Sequence, residues 1–221
     1  MTSICRSRPS DIWRRIRRSA RALRRDHSGV AAIEFAMILP IMLVAFFGTV
    51  EVCAAVAIDR KVTLIARTLS DLTSQAAASV DSTYLQNVFT ASISIITPYT
   101  DTPVLATISE VYVDSSGKAT IQWSQSAIIA STSATHATLT ASNHTPTQDV
   151  TNKIPTALLV KQTYLIWSEV SYQYLPMGGS SSGVGVVLKT SINLSDVSFN
   201  RPRQNTCITY NNLPAGNCPL T

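Results

Sequence analysis

Hydrophobic residues are concentrated in one stretch near the start of the chain. In residues 30–50, a run of 21 positions, Glu34 is the only charged residue. A helix of this length extends about 30 Å, which matches the hydrocarbon thickness of a bilayer. Pro40 and Gly48 lie inside the run, and transmembrane helices tolerate both residue types. The pattern predicts a transmembrane helix, which we assign to residues 30–58.

The hydrophobic spacing then changes to that of an amphipathic helix. Apolar residues recur at steps of four and three positions, with charged residues between them, at Ile58, Val62, Ile65, Leu69 and Leu72. This period of 3.6 residues predicts that the first helix continues with one apolar face. A second helix is predicted over residues 82–97, because its apolar residues have near-helical spacing and Pro98 follows as a stop signal. Both predicted helical parts after the membrane lie within residues 59–97.

Alternating apolar and polar residues predict β-strands in residues 98–221. Segments 103–113 and 118–125 flank a short turn that contains Gly117, which favours a hairpin. A second hairpin is predicted from segments 156–177 and 184–199, joined by a Gly/Ser-rich loop. The predicted fold class is therefore α+β, with a long N-terminal helix packed on a small antiparallel sheet of about four strands.

The net charge of +5 is unevenly divided between the leader and the rest of the chain. Residues 1–29 carry nine arginines and two acids, a charge of +7, and residues 30–221 carry −2. The folded region therefore lacks the basic surface that nucleic-acid binding requires. By the positive-inside rule, the basic leader lies in the cytoplasm and the domain over residues 98–221 lies outside the cytoplasmic membrane.

Two cysteines lie in the exported region, Cys207 and Cys218, and they flank a turn-rich stretch. In an oxidising compartment this spacing favours a local disulfide over two free thiols. Closure of such a loop would contribute about 2–3 kcal/mol. Two cysteines alone do not form a zinc site.

Two features resemble catalytic or metal-binding patterns, and we interpret both as structural. Ser181 is the centre of a G-x-S-x-G match, but a strand-like run follows it where a nucleophile elbow requires a helix. His136, His144 and Asp149 lie in residues 126–152, a Ser/Thr/Ala-rich stretch without clear periodicity. We interpret that stretch as a long surface loop and its histidines as solvated polar residues. The sequence therefore predicts no enzymatic activity, no cofactor and no metal site.

The N-terminal region carries a specific combination of residues. A basic leader ends at Gly29, four residues follow from Val30, and Glu34 and Phe35 then open the apolar run. This arrangement resembles the processing site of type IV pilin-like proteins, and more narrowly the TadE/TadG-like pseudopilins of tight-adherence (Tad, Flp-type) pilus systems. The resemblance covers about 45 residues, 28–72, with weaker similarity in later segments.

The resemblance implies an accessory or minor pseudopilin held in the bacterial inner membrane. A prepilin peptidase would cut between Gly29 and Val30, and Glu34 and Phe35 would complete the recognised site. The new amine of Val30 and the Glu34 carboxylate would share one helix face, since they are four residues apart. The implied partners are that peptidase, other pilins and the Tad machinery, with no small-molecule substrate.

Alternatives to this interpretation remain at several positions. The chain is alternatively a permanently anchored periplasmic binding or scaffold protein that is never processed. Ala55-Val56-Ala57 matches the A-x-A pattern of a secretory cleavage site. Glu34 is alternatively a residue at headgroup level without a role. Arg201 and Arg203 form a small basic cluster. This cluster either contacts a partner or pairs with an acid of the same domain.

Overall fold

The computed structural model of the protein describes residues 29–99, 104–129, 136–175 and 191–211. The chain divides into two compact units, and their boundary lies between Val50 and Glu51. The predicted leader lies outside the described residues, apart from Gly29. Residues 51–58 of the predicted transmembrane segment lie beyond this boundary, so the helix contributes residues to both units.

Helix α1, Val30–Ser74, contains the apolar run and continues through Pro40. Its large apolar side chains before the unit boundary are exposed, with Met37 at 72% and Val44 at 74%. A helix that is apolar all round is stable only when other protein or lipid covers it. The first part of α1 is therefore a surface that requires an apolar environment.

The second unit contains the end of α1 and all the remaining described elements. Helix α2 covers Ser82–Ile93 and continues as a 3-10 turn, Ser94–Ile96, which confirms the predicted second helix. Asp81 caps the start of α2, because its Oδ1 accepts a hydrogen bond of 2.7 Å from the Tyr84 amide. The strands are β1 Ser79–Val80, β2 Val104–Val113, β3 Ala119–Ile129, β4 Thr138–Thr140, β5 Thr163–Tyr174, β6 Ile192–Asn200 and β7 Thr209–Tyr210.

Five of these strands form one antiparallel sheet in the order β4-β3-β2-β5-β6. The α+β prediction is confirmed, and both predicted hairpins pair as expected, β2 with β3 and β5 with β6. The sheet has five strands where we expected about four, because β4 was not predicted. In addition, β1 and β7 form a parallel pair that joins the segment after α1 to the segment after β6.

The turn between β2 and β3 has a local cause. The Asp114 Oδ1 accepts hydrogen bonds from the Ser116 amide at 2.8 Å, the Ser116 hydroxyl at 2.6 Å and the Lys118 amide at 2.9 Å. The Ser116 hydroxyl contributes most to lowering the pKa of Asp114. Gly117 has φ +91°, a conformation that residues with a side chain rarely adopt. The predicted turn therefore depends on both its aspartate and its glycine.

One face of α1 packs against the sheet and α2 to form the main core. Ile58, Val62, Ile65 and Leu69 are all at most 1% exposed, which confirms the predicted amphipathic face. Each such side chain contributes about 1.5–3 kcal/mol on burial. The core also contains residues of α2, so α2 and the sheet share one unit.

Polar contacts fix the position of α1 along the sheet. The Tyr174 hydroxyl donates to Glu51 Oε2 at 2.6 Å, and the Ser168 hydroxyl donates to the Ala66 carbonyl at 2.6 Å. The Ser70 and Ser198 hydroxyls are 2.9 Å apart. From Glu51 to Ala66 along α1, the contacted residues run backward along β5 from Tyr174 to Ser168, so α1 lies alongside β5 and runs antiparallel to it.

A second, smaller core lies on the other face of the sheet and corrects one prediction. Residues 126–152 were expected to form a surface loop, but they include the end of β3 and all of β4. Val150 is 2% exposed, and its amide donates to the Ala119 carbonyl at 2.9 Å. Val150 and Ile154 pack on Leu165 and Trp167. The prediction was wrong because few, widely spaced apolar residues anchor this polar stretch to the sheet.

We predict that Leu69→Ala lowers the free energy of unfolding by about 2–5 kcal/mol, since it leaves a cavity between α1 and the sheet. The matched control is Leu64→Ala on the same helix, because Leu64 is 50% exposed where Leu69 is buried. The control should change stability by no more than about 0.5 kcal/mol. Urea unfolding of the full chain in detergent measures both, and equal losses would contradict the packing described above.

Candidate functional site

The predicted processing site lies at the first turn of α1. Gly29 is the residue before the helix, and its carbonyl accepts the first helical hydrogen bond, from the Ile33 amide at 3.1 Å. Both Gly29 and Val30 are exposed. A Cβ atom built on Gly29 would meet no atom within 4 Å. The described fold therefore does not require glycine at this position, and any requirement for it would come from another protein.

Glu34 lies one turn inside the exposed helix. It shares a helix face with Val30, since the two are four residues apart, and Phe35 beside it is 60% exposed. Within the described part of the chain, no hydrogen bond or ion pair involves the Glu34 side chain. A carboxylate near a helix N-terminus gains from the helix dipole, but in lipid it still costs up to about 3 kcal/mol. The site thus presents an exposed carboxyl group one turn inside the helix.

One helix in the described part of the chain, α1, is long and apolar enough to cross a membrane. Its most apolar window of 18 residues has a mean hydropathy of 2.4, and none of that window is buried. The core helix of a soluble protein would bury most of such a window. A long apolar helix with an unburied window indicates membrane anchoring.

The histidines and Asp149 do not form a common site. Asp149 accepts hydrogen bonds from Thr151 and lies 3.6 Å from Lys118. His136 is exposed, whereas the side chain of His144 is only 8% exposed and its Nε2 contacts Glu169. The interpretation of His144 as a solvated loop residue is therefore wrong.

His144 is buried because it packs on the sheet. Its ring lies 4.9 Å from that of Trp167, which covers it on the outer face of β5. Among the described residues there is no group of three or more His, Cys, Asp or Glu side chains that could hold a metal ion.

The two arginines after β6 have different environments. Arg203 forms an ion pair with Asp71 of α1, and its amide donates to the Ser74 carbonyl at 2.9 Å. Arg203 thus caps the C-terminal end of α1, where a cation is also favoured by the helix dipole. Arg201 is exposed, and its contact with a partner remains a prediction.

Only one of the two cysteines of the predicted disulfide lies within the described residues. Cys207 is 3% exposed, immediately before β7. Cys218 lies outside the described residues, as does Ser181, so the disulfide remains a prediction. Cys53 is an exposed, free cysteine on α1.

The sequence analysis missed Glu110, a fully buried acid in β2. Its Oε1 accepts a hydrogen bond of 2.6 Å from the Ile208 amide, and its Oε2 accepts one of 3.1 Å from Trp123 Nε1. The same indole nitrogen donates to the Ile208 carbonyl at 2.6 Å. Glu110 and Trp123 together hold the segment that contains Cys207 and β7 against the sheet.

Burial raises the pKa of Glu110 to about 8, against the opposing effect of the hydrogen bonds from Ile208 and Trp123. The alternation of apolar and polar residues in β2 could have predicted that Glu110 is buried. Val104, Ala106 and Ile108 are spaced by two, which places Glu110 next on the core-facing side. An acid at a core position indicates a buried, hydrogen-bonded carboxyl group.

These features define a membrane-anchored α+β protein with its globular unit after the helix. Residues 29–70 match the family model described as TadE-like protein. The chain therefore carries a TadE-like segment, which confirms the resemblance to the TadE-like proteins of Tad pilus systems. The match begins at Gly29 and ends within α1, so it does not extend to the sheet. No curated protein matches the chain, and neither does any solved structure.

We predict that Glu110 makes the stability depend on pH. Between the ordinary pKa of glutamate and about 8, the folded state keeps a proton that the unfolded state releases. The free energy of unfolding should therefore fall as pH rises, by up to about 1.4 kcal/mol per pH unit, and level off above pH 8. Glu110→Gln should flatten this slope, as urea unfolding across this range would measure.

The control for this prediction is Asp59→Asn, a neutralised acid at an exposed position of α1. It should leave the slope of the wild-type protein unchanged. If Glu110→Gln and the wild-type protein show the same slope, the folded state does not retain the proton on Glu110.

Proposed function

We propose that the protein is an accessory or minor pseudopilin of a Tad-type (Flp) pilus assembly machine, anchored in the bacterial inner membrane. The observation that carries this proposal is the TadE-like match over residues 29–70, which starts at Gly29, the residue before the exposed helix. The family is structural and non-enzymatic, so the protein would act through contacts between helices and between domains.

In this proposal a prepilin peptidase cuts the chain between Gly29 and Val30. The bond lies at the exposed start of α1, where the glycine leaves space for a protease to approach the backbone. After the cut, the amine of Val30 becomes a cation one turn from Glu34. It would neutralise Glu34 in the same chain or in a neighbouring subunit, which would remove the cost of a lone carboxylate in lipid.

The second unit would lie in the periplasm, on the side opposite the arginine-rich leader. There the predicted disulfide between Cys207 and Cys218 would form in an oxidising compartment. It would close the chain beside the segment that Glu110 holds, and so reinforce the C-terminal end of the domain. Arg201 would then be available for a partner of the machinery.

The N-terminus of the mature protein distinguishes this proposal from its alternatives. Met1 or Thr2 would indicate a permanently anchored scaffold, and Ile58 would indicate secretory cleavage. Cleavage before Ile58 would remove Glu51, which accepts the hydrogen bond from Tyr174, and would expose the 1%-exposed Ile58 at a chain end. The structure therefore favours a domain that keeps its helix.

We predict that Gly29→Ala blocks processing, because the peptidase requires the glycine while the fold does not. Mass spectrometry of the protein from native membranes should find Val30 at the N-terminus of the wild-type protein and an uncut leader in the variant. The matched control is Gly48→Ala, since a Cβ at Gly48 also meets no atom within 4 Å. Normal cleavage of Gly29→Ala would refute the assigned site.

We predict that Glu34→Gln lowers assembly more than it lowers processing, since glutamine has the same shape but cannot pair with the new amine. The measurement is the amount of processed protein in membranes, compared with the number of pili on the cell surface. Glu34→Asp keeps the charge and should restore part of the assembly. Wild-type piliation in Glu34→Gln cells would show that the charge has no role.

A further inference from the structure

The start of the second unit brings the ends of two strands beside residue 51 of α1. Glu51 directly follows the exposed apolar run, and its Oε2 accepts the hydrogen bond from Tyr174 at 2.6 Å. Burial, followed by this hydrogen bond, raises the pKa of Tyr174. Tyr174 is the last residue of β5 and is paired with Ile192, the first residue of β6. The end of β5 and the beginning of β6 are therefore held next to residue 51.

The other contacts show that the strands lead away from this point. From Glu51 to Ala66, α1 advances about 22 Å, and from Tyr174 to Ser168, β5 covers about 20 Å. Helix α1 and strand β5 thus lie side by side and run in opposite directions. One end of the sheet lies at the level of Glu51, and the other end lies farther along α1.

The end of the sheet beside Glu51 has an apolar surface. Leu175 is 50% exposed and Ile192 is 44% exposed, at the adjoining ends of β5 and β6. On α1, Val52 is 63% exposed and Val56 is 49% exposed, before the first charged residues beyond Glu51, at positions 59–61. We call these four residues, Leu175, Ile192, Val52 and Val56, the proximal apolar surface.

The turn at the opposite end of the sheet is polar. The register pairs Val113 with Thr163, so the turn between β2 and β3 lies at the end away from Tyr174. The exposed residues of that turn are Ser115, Ser116 and Lys118, although Val160, shortly before β5, is 42% exposed. The described β2–β3 turn thus exposes polar side chains where the adjoining ends of β5 and β6 expose Leu175 and Ile192.

We propose that the proximal apolar surface contacts the headgroup region of the same bilayer that holds α1. This proposal rests on the proposed membrane span. The bilayer is the expected contact of this surface, because residue 51 directly follows the membrane segment and the surface lies around that residue. Apolar side chains enter the boundary between headgroups and acyl chains by about 5–10 Å. The six residues from Val50 to Val56 rise about 9 Å, which is within this depth.

One tyrosine near this surface, Tyr99, has a partly exposed ring that lies 5.6 Å from the Lys61 ammonium. Tyr172 and Tyr174 are buried in the core. Tyrosine is enriched where a protein crosses from lipid to water, because it has an apolar ring and a polar tip. Tyr99 therefore fits the proposed environment.

The test is the depth of fluorescent labels in vesicles. Full-length protein with all four native cysteines, Cys5, Cys53, Cys207 and Cys218, replaced by serine would carry a single label at Leu175→Cys, Ile192→Cys or Val197→Cys, in vesicles of phosphatidylcholine and phosphatidylglycerol that contain spin-labelled lipids. Val197 is the matched control, because it is 50% exposed and lies about 17 Å from Ile192 along the same strand.

Labels at 175 and 192 should be quenched at least about two-fold more than the label at 197, which lies beyond the depth that interfacial side chains reach. Equal quenching at the three positions would overturn the proposal. A label at Val44→Cys reports on the span itself. Quenching at 44 without quenching at 175 and 192 refutes only the surface contact. Loss of quenching at 44 refutes the membrane span, and the surface contact with it.

A second measurement does not depend on cysteine replacement. Benzophenone side chains at positions 175 and 192 of the otherwise unchanged chain should form adducts with lipid on illumination. Adducts with a second copy of the protein, in place of lipid, would show that protein covers this surface and would overturn the proposal. Neither measurement depends on processing, so the N-terminus of the mature protein tests the pseudopilin proposal separately.

Discussion

Burial of one face of α1 against the antiparallel sheet is the contact on which the globular unit depends. Ile58, Val62, Ile65 and Leu69 exclude water along that face, and α2 and the sheet complete the same core. Hydrogen bonds at Ser168 then fix where the helix lies along the strands. Without this face the sheet would expose its apolar side, so the helix that anchors the chain also completes the fold.

One continuous helix therefore serves two environments. Before Glu51 its side chains are apolar on all sides and exposed, which suits lipid or neighbouring helices. From Asp59 onward charged residues appear on the outer face, and the inner face remains apolar and buried. Between the two parts, Glu51 is held by Tyr174. The family match over residues 29–70 covers both parts of this helix.

Periodic features of the chain were predictable from sequence, and contacts between distant segments were not. The spacing of Ile58 to Leu69 predicted the buried face of α1, and the turn before Lys118 predicted the first hairpin. The parallel pairing of β1 with β7 joins two-residue strands, which are too short to show a period. The burial of His144 was not predicted, because it depends on contact with Trp167, which lies in β5 and is distant in sequence. At the candidate site, local sequence identified Gly29 and Glu34 as candidates, but no partner of the Glu34 side chain lies among the described residues.

The alignment of α1 with β5 and β6 has a mechanical consequence. Force applied along the helix axis runs parallel to the strands, so the contacts at Glu51, Ala66 and Ser70 are loaded side by side in shear. Shear requires many contacts to break together, whereas a perpendicular pull would open them one at a time. A subunit that is pushed or pulled through its membrane helix would thus transmit the load to its domain without unfolding from one end.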